Sequence, residues 1–144
     1  ARMIVRNVTL SEGEKLYELV CAYRQEPVDK EVFLAHLQTA LDQPGRRVVL
    51  AYNGAEAVGF ADVEVRMSLC QCANVGYIND FYVKDAFRGR NIGGGMLLSV
   101  TTHLKTIGCS SVYAYCPRVN IKSQEFLEKR GFSKSQYGFW RSLK

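Results

Sequence analysis

Residues 87 to 95 read Phe87-Arg88-Gly89-Arg90-Asn91-Ile92-Gly93-Gly94-Gly95, two arginines interleaved with four glycines. The stretch before it, Val75 to Val83, is patterned like a strand, and the stretch after it, Gly93 to Ile107, like a helix. A basic, glycine-rich turn that leaves a strand and opens a helix aims several backbone N–H groups and a positive helix end at one point. Proteins hold phosphate in this way. The ligand implied is a pyrophosphate.

The rest of the chain must place that loop. Ser11 and Glu14 have the spacing of a capping box, and Leu16, Leu19, Val20 and Tyr23 come next at helical intervals, so a first helix is expected over about 11–24. Pro27 ends it. Asp29 can cap a second helix carrying Val32, Phe33, Leu37 and Leu41, which Pro44-Gly45 closes. Arg47 to Tyr52 and Ala57 to Leu69 are apolar and β-branched on either side of Asn53-Gly54, the signature of an antiparallel hairpin. In Val75 to Val83, simple alternation puts Val75, Tyr77, Asn79, Phe81 and Val83 on one face and Ile78, Asp80 and Tyr82 on the other.

Leu97, Val100, Leu104 and Ile107 form one stripe of the helix after the loop. Gly108 stops it, and a strand from Ser110 to Cys116 comes after. This is a βαβ unit, so its two strands should lie parallel. A last helix near Asn120 to Arg130, closed by Gly131, leads to an expected final strand through Phe132, Tyr137, Phe139 and Trp140. The reading is one domain over residues 1–144, of α/β (α+β) class. Its mixed, mostly antiparallel central sheet has helices on both faces.

Composition narrows the classes. With 144 residues, 47% apolar and 23% charged, the chain can bury a core and is neither disordered nor membrane-spanning. No window approaches the roughly 18 apolar residues of a membrane helix, and Ala1 to Arg6 alternates like a strand rather than a signal peptide. The expected address is cytoplasmic, with no membrane partner. Five cysteines with no CxxC pair read as free thiols. Cys70 and Cys72, with His36 and His103 elsewhere, lack a second pair at ligand spacing, so no metal is expected. A net charge of +5 suits an anionic ligand without choosing among them. The aromatic residues of the last two strands read as core rather than as a stacking platform, so no nucleic-acid partner is expected.

Three segments in order, Asn79-Asp80-Phe81-Tyr82-Val83, Phe87 to Gly93, and Asn120 with Phe126-Leu127-Glu128-Lys129-Arg130-Gly131-Phe132, resemble the GCN5-related N-acetyltransferases. The resemblance covers nearly the whole chain. It implies transfer of an acetyl group from acetyl-CoA to a primary amine, and a splayed pair of parallel strands. The family's acyl-CoA signature falls on Arg88, Asn91 and Gly93. Asn91 replaces the usual glycine, and asparagine is the side chain that best tolerates a left-handed backbone.

By that resemblance, backbone N–H groups of Arg88, Gly89, Arg90, Asn91, Ile92, Gly93 and Gly94 cradle the pyrophosphate, and Arg88 and Arg90 add charge. The pantetheine arm pairs with the backbone of Phe81, Tyr82 and Val83 like an added strand, where one N–H polarises the thioester carbonyl. Asn120 and Ser123 fall where the family touches the cofactor, and Lys129 or Arg130 could meet a ribose phosphate.

An alkyl ammonium must lose its proton before it attacks, and a positioned base contributes about 10²–10⁴-fold. Asp80 resembles the acidic residue that relatives place beside the thioester, with Glu64 on the adjacent strand as reserve. Many relatives carry a tyrosine after the phenylalanine of the last helix as general acid; this chain has Leu127. Tyr115 and Cys116 are the substitutes considered, although both residue types are more often core. Otherwise the thiolate leaves unprotonated.

Met67, Leu69 and the break before Asn74 fall where the family's amine pocket often forms, with Tyr137 to Trp140 as its other wall. The loop, the short chain and the aromatic C-terminus are similar to aminoalkylphosphonate N-acetyltransferases, which implies a small amine partner. Peptide N-acetylation and a non-catalytic acyl-CoA sensor stay open. Relatives are often dimers, and the strand with Phe139 and Trp140 offers an exchange edge.

Overall fold

The computed structural model describes residues 2–144. Five strands form one sheet in sequence order: β1 (Met3–Asn7), β2 (Arg46–Asn53), β3 (Glu56–Ser68), β4 (Ala73–Val83) and β5 (Ser111–Ala114). The first three pairings are antiparallel, and β4 with β5 is parallel, as the βαβ pattern requires. Helices α1 (Gly13–Arg24) and α2 (Lys30–Asp42) cover one face; α3 (Ile92–Thr106) and α4 (Ile121–Glu128) lie on the other.

The sheet separates two cores. On one side Val48, Leu50 and Phe60 pack against Leu16, Leu19 and Leu37. On the other, Val49, Ala51, Val63 and Ile78 pack against Met96, Leu97, Val100 and Leu104 of α3. The alternation of β2 divides Val48 from Val49 and Leu50 from Ala51, so that one short strand feeds both layers.

Several local expectations are corrected. The first helical segment opens on Leu10–Glu12, a single 3₁₀ turn, and its box is formed by Thr9 and Glu12 rather than Ser11 and Glu14. Glu12 reaches back to the Thr9 N–H (3.1 Å), and its carboxylate is buried with Arg6 (2.9 Å) and the Tyr52 hydroxyl. That triple partnership fixes the register two residues early. Asp29 does cap α2, accepting from the Val32 N–H at 2.9 Å.

Simple alternation also fails in β4. Asp62 pairs with Asp80 and Val63 with Ile78, so Asn79 is an inserted, bulged residue. Tyr77 and Asp80 therefore share the α1/α2 side, and Ile78 and Phe81 share the α3 side. A period-2 reading cannot show this, because one extra residue exchanges the faces downstream of it.

The expected final strand does not form. Residues 133–144 are exposed and without regular structure, and Tyr137, Phe139, Trp140 and Leu143 are between 85% and 96% exposed. The reading of those aromatics as core, or as a wall of the amine pocket, is corrected with it: within one chain no strand receives the segment.

Candidate active site

The β4–β5 ladder ends at Ile78 and Ala114. From Asp80 to Val83, β4 keeps its β3 partner but has no neighbour on the β5 side, so that edge of its backbone is free among the described residues. The strands fork here. A cavity of about 50 Å³ fills the fork, lined by Ile78, Phe81, Leu97, Ala114, Tyr115, Cys116, Ser123, Phe126 and Leu127. The Phe81 and Phe126 rings meet at 5.7 Å across it.

The free edge runs toward the glycine-rich loop. Gly89 and Asn91 both adopt left-handed backbone, with φ of 77° and 61°. Asn91 is the N-cap of α3, yet its side chain makes no capping hydrogen bond, and the first turn holds no acidic residue. The N–H groups that a helix start leaves over are thus not spent on a side chain of the chain itself. A Cβ on Gly94 would collide with Asn91 Oδ1 and lie 3.0 Å from an Arg130 guanidinium nitrogen, so any larger residue there must displace both side chains. Gly93 lies under the Phe126 ring, where a Cβ would come within 3.2 Å.

The cationic side chains differ from expectation in part. Arg88 bends back, donating to the Val83 carbonyl (3.2 Å) and pairing with Asp85 (3.0 Å). Arg90 stands over the Phe87 ring at 5.0 Å. Arg130, stacked on Phe126 at 3.9 Å, reaches the N-terminal turn of α3. Asn120 caps α4 by accepting from the Ser123 N–H at 3.1 Å.

A larger cavity, about 210 Å³, lies on the opposite face of the sheet beneath α1 and α2. Asp80 lines it, together with Tyr23, Arg24, His36, Arg46 and Asp62, none of which the sequence reading placed in the site. Arg46 grips Asp62 through two bonds of 2.6 and 2.7 Å. Burial raises the Asp80 carboxyl above its ordinary value; the Tyr23 hydroxyl, Arg24 and Arg46 oppose that rise and Asp62 adds to it. Burial, with the Asp80 charge, pushes the Tyr23 phenol up to about 12. A raised carboxyl facing a cavity can exchange a proton with a ligand there.

Glu64 is not so poised: hydrogen bonds from Arg66 (2.9 Å) and Asn79 (3.0 Å) hold it below the usual carboxylate range. One signal pointed to Asp62 and Arg46. The Asn53-Gly54 turn brings Val48 opposite Asp62 once a bulge between Ala51 and Tyr52 is allowed, and Arg46 reaches across diagonally.

The sequence model of the acetyltransferase (GNAT) family matches residues 13–132. The chain belongs to this family. It is 22% identical to the aminoalkylphosphonate N-acetyltransferase of Salmonella typhimurium strain LT2 over 142 residues, 96% of this chain and 90% of that one. It is 31% identical to the glucosamine 6-phosphate N-acetyltransferase of Arabidopsis thaliana over 77 residues, 54% of this chain and 49% of that protein. The solved structure of the aminoglycoside N-acetyltransferase AAC(6')-Iy in complex with CoA superposes with a TM-score of 0.87 at 21% identity, covering 99% of this chain and 96% of the other. That likeness shows the GNAT fold.

For a GNAT domain the fork is conspicuous in what stands at the position after Phe126, which is Leu127, apolar and half-buried. Tyr115 lies in the same fork, its ring stacked on Tyr77 at 6.3 Å and more than half exposed rather than in a core. Cys116 is half-buried there, and burial pushes its thiol up. Among the described residues no group of three or more His, Cys, Asp or Glu side chains comes together as a metal site, and no helix is long and apolar enough to cross a membrane.

Proposed function

We propose that this acetyltransferase moves the acetyl group of acetyl-CoA onto the primary amine of a small, phosphorus-oxyanion-bearing acceptor by direct attack. The observation that carries the reading is the geometry of β4. One stretch, Asn79 to Val83, offers a free backbone edge leading to an uncapped helix start, while Asp80 from the same stretch faces the opposite cavity.

Acetyl-CoA supplies the acyl group as a thioester. The backbone of Ile92 to Gly94 and the Arg130 guanidinium receive its phosphates, with Arg88 and Arg90 on the loop that precedes them adding charge. The edge of Phe81 to Val83 pairs with the pantetheine, after Arg88 releases the Val83 carbonyl. A backbone N–H of that edge donates to the thioester carbonyl. Asp80 accepts the ammonium proton, directly or through a water molecule, and passes it to solvent; the amine nitrogen then bonds to the carbonyl carbon as the C–S bond breaks, and its second proton leaves to water or to the departing sulfur. Tyr115 or Cys116 returns a proton to the sulfur, or the thiolate departs as it is, its pKa being near that of cysteine, about 8.5. Asn120 keeps its place by capping α4, and Ser123 lines the fork.

Three observations favour a phosphorylated or phosphonylated acceptor over a polycationic one. Both curated relatives carry names with such acceptors. The cavity around Asp80 is lined by Arg24 and His36 as well as by Arg46, whose charge is matched by Asp62. The chain carries +5 overall, which draws anions and repels polycations.

Release of free CoA thiol is the assay, with acetyl-CoA and a panel of aminoalkylphosphonates, glucosamine 6-phosphate, aminoglycosides and a peptide with a free N-terminus. Turnover confined to the phosphorus-bearing amines is expected. Turnover confined to aminoglycosides or peptide would overturn the acceptor class, and calorimetric binding of acetyl-CoA without turnover of any amine would make the domain a sensor.

A further inference from the structure

The turn between β3 and β4 carries three sulfur donors in a short run, Met67, Cys70 and Cys72, in the order Met-x-x-Cys-x-Cys. Both cysteines are exposed free thiols, and Met67 is 73% exposed. None of the three lines the cavity around Asp80 or the fork, so acetyl transfer leaves them without a task. Two cysteines without a second pair do not make a zinc site, but here a methionine supplies a third sulfur. From Met67 to Asn79 the chain has no charged side chain, so nothing in the turn offers a carboxylate to a hard cation.

The backbone closes these residues into one small space. The Cys72 N–H donates to the Leu69 carbonyl at 3.2 Å, and the Gln71 N–H donates to Ser68 Oγ at 3.2 Å. Two residues apart, the Cα atoms of Cys70 and Cys72 are separated by at most about 7.6 Å, near enough for one ion to join their sulfurs. The Cys72 thiol is folded back across the turn, donating to the Leu69 carbonyl at 3.4 Å. Met67 pairs with Asn74, and Cys72 stands two residues before Asn74, the diagonal place that a long side chain reaches. The Cys72 backbone is left-handed, with φ of 53°, where glycine is the unstrained choice; this turn carries a thiol instead.

We propose that Met67, Cys70 and Cys72 bind a soft monovalent cation, Cu(I), through two thiolates and one thioether. Thiolate and thioether sulfur together select Cu(I), whereas structural zinc takes four ligands and calcium and magnesium take oxygen. Each thiol releases its proton to solvent as its sulfur bonds to the metal, so uptake strengthens as pH rises. No electron moves: the copper enters and stays as Cu(I). Gln71 lies between the two thiolates and donates to Tyr113 Oη of β5 at 3.4 Å, so the bound ion holds the turn against the end of the sheet.

The test is an oxygen-free titration of the whole, reduced chain with Cu(I) held by a coloured bidentate chelator. Loss of the chelator complex and the near-ultraviolet absorption of copper–thiolate bonds report the uptake. A single copper per chain is expected for the parent and none for Cys70→Ser combined with Cys72→Ser. Met67→Leu should need a higher Cu(I) concentration for half-saturation. Circular dichroism should stay unchanged throughout, because all three side chains are exposed. A parent chain that takes no copper from the chelator overturns the proposal. So does uptake that survives the double substitution, which would put the metal on Cys21, Cys109 or Cys116, and so does uptake that Met67→Leu leaves unchanged. Zinc that displaces the copper would overturn the choice of a soft cation, and one copper per two chains would overturn a site built within one chain. None of these readouts depends on catalysis, so the outcome is separate from the functional assignment.

Discussion

Asp62 and Asp80 face each other across β3 and β4, at the pair next to the Asn79 bulge, and Arg46 holds only the first of them. Two carboxylates this close would repel, and the bidentate guanidinium removes most of that cost by neutralising Asp62. Asp80 is left as the carboxylate free to work. Replacing Arg46 by Gln takes away a cation that lowers Asp80 and exposes it to the full Asp62 charge, so both effects push its carboxyl further up. The acid limb of the pH–rate profile should move to higher pH, and stability should fall by about 1–3 kcal/mol from the lost charged hydrogen bonds. An unmoved acid limb would separate Arg46 from the titration of Asp80.

For Asp80 itself the sign can be worked through. Its folded value is raised, chiefly by burial, above the ordinary 3.8. A base must be deprotonated, so activity should fall as pH drops through that raised value. A carboxyl raised in the folded state loses stability as pH climbs past it, so at neutral pH the charged carboxylate is a burden on the fold. Asp80→Asn should thus lower turnover by about 10²–10⁴-fold while leaving acetyl-CoA affinity alone and leaving Tm unchanged or higher at pH 7. Undiminished turnover would remove Asp80 from the chemistry.

Tyr23 tunes the same group from α1. Its hydroxyl lowers the Asp80 carboxyl, so Tyr23→Phe should shift the acid limb upward without abolishing turnover. Steady-state rates on the acid side distinguish this from a binding defect, which would raise KM at all pH values.

Asn91, at φ 61°, is in a conformation that costs most side chains about 1–2 kcal/mol. Asn91→Gly should keep both stability and acetyl-CoA binding. Asn91→Ile should lose both, since a β-branched residue resists that backbone. Calorimetric titration of the pair with acetyl-CoA checks it; equal affinity in the two variants would show that the loop does not hold the ligand.

Glu12 gives the fold its own pH dependence. Burial pushes its carboxyl up, but bonds from Tyr52 and Thr9 and the Arg6 charge outweigh that and hold it below 4.5. A depressed carboxylate stabilises above its unfolded value and loses that contribution as pH falls. Glu12→Ala should cost about 1–3 kcal/mol at neutral pH, leaving the Tyr52 hydroxyl and Thr9 N–H without a partner, and should flatten the loss of Tm in acid. An unchanged acid slope in the variant would rule Glu12 out as its source.

Most of the elements, and the backbone of the glycine-rich loop, were legible because each rests on local chemistry. Asp29 caps the helix that begins beside it, Asn53-Gly54 turns one strand into the next, and Gly89 with Asn91 supplies the left-handed backbone of the loop. What the pattern hid was non-local. The bulge at Asn79 is visible only when β3 is set beside β4, and the cavity around Asp80 draws Tyr23, His36, Arg46 and Asp62 from four separate elements. The final strand was misplaced for a related reason: Tyr137, Phe139 and Leu143 carry the right period, but period says nothing about which edge receives it.

The two cores on opposite sides of the sheet bear on how such a domain can change. Leu16, Leu19 and Leu37 support the wall over Asp80, whereas Met96, Val100 and Leu104 hold α3 against the other face of the sheet. Substitutions in the first group and the second share no packing partners, so their energetic effects should add rather than interfere. On the proposed reading, the chamber under α1 and α2 can be remodelled for a new acceptor without disturbing the core beneath α3.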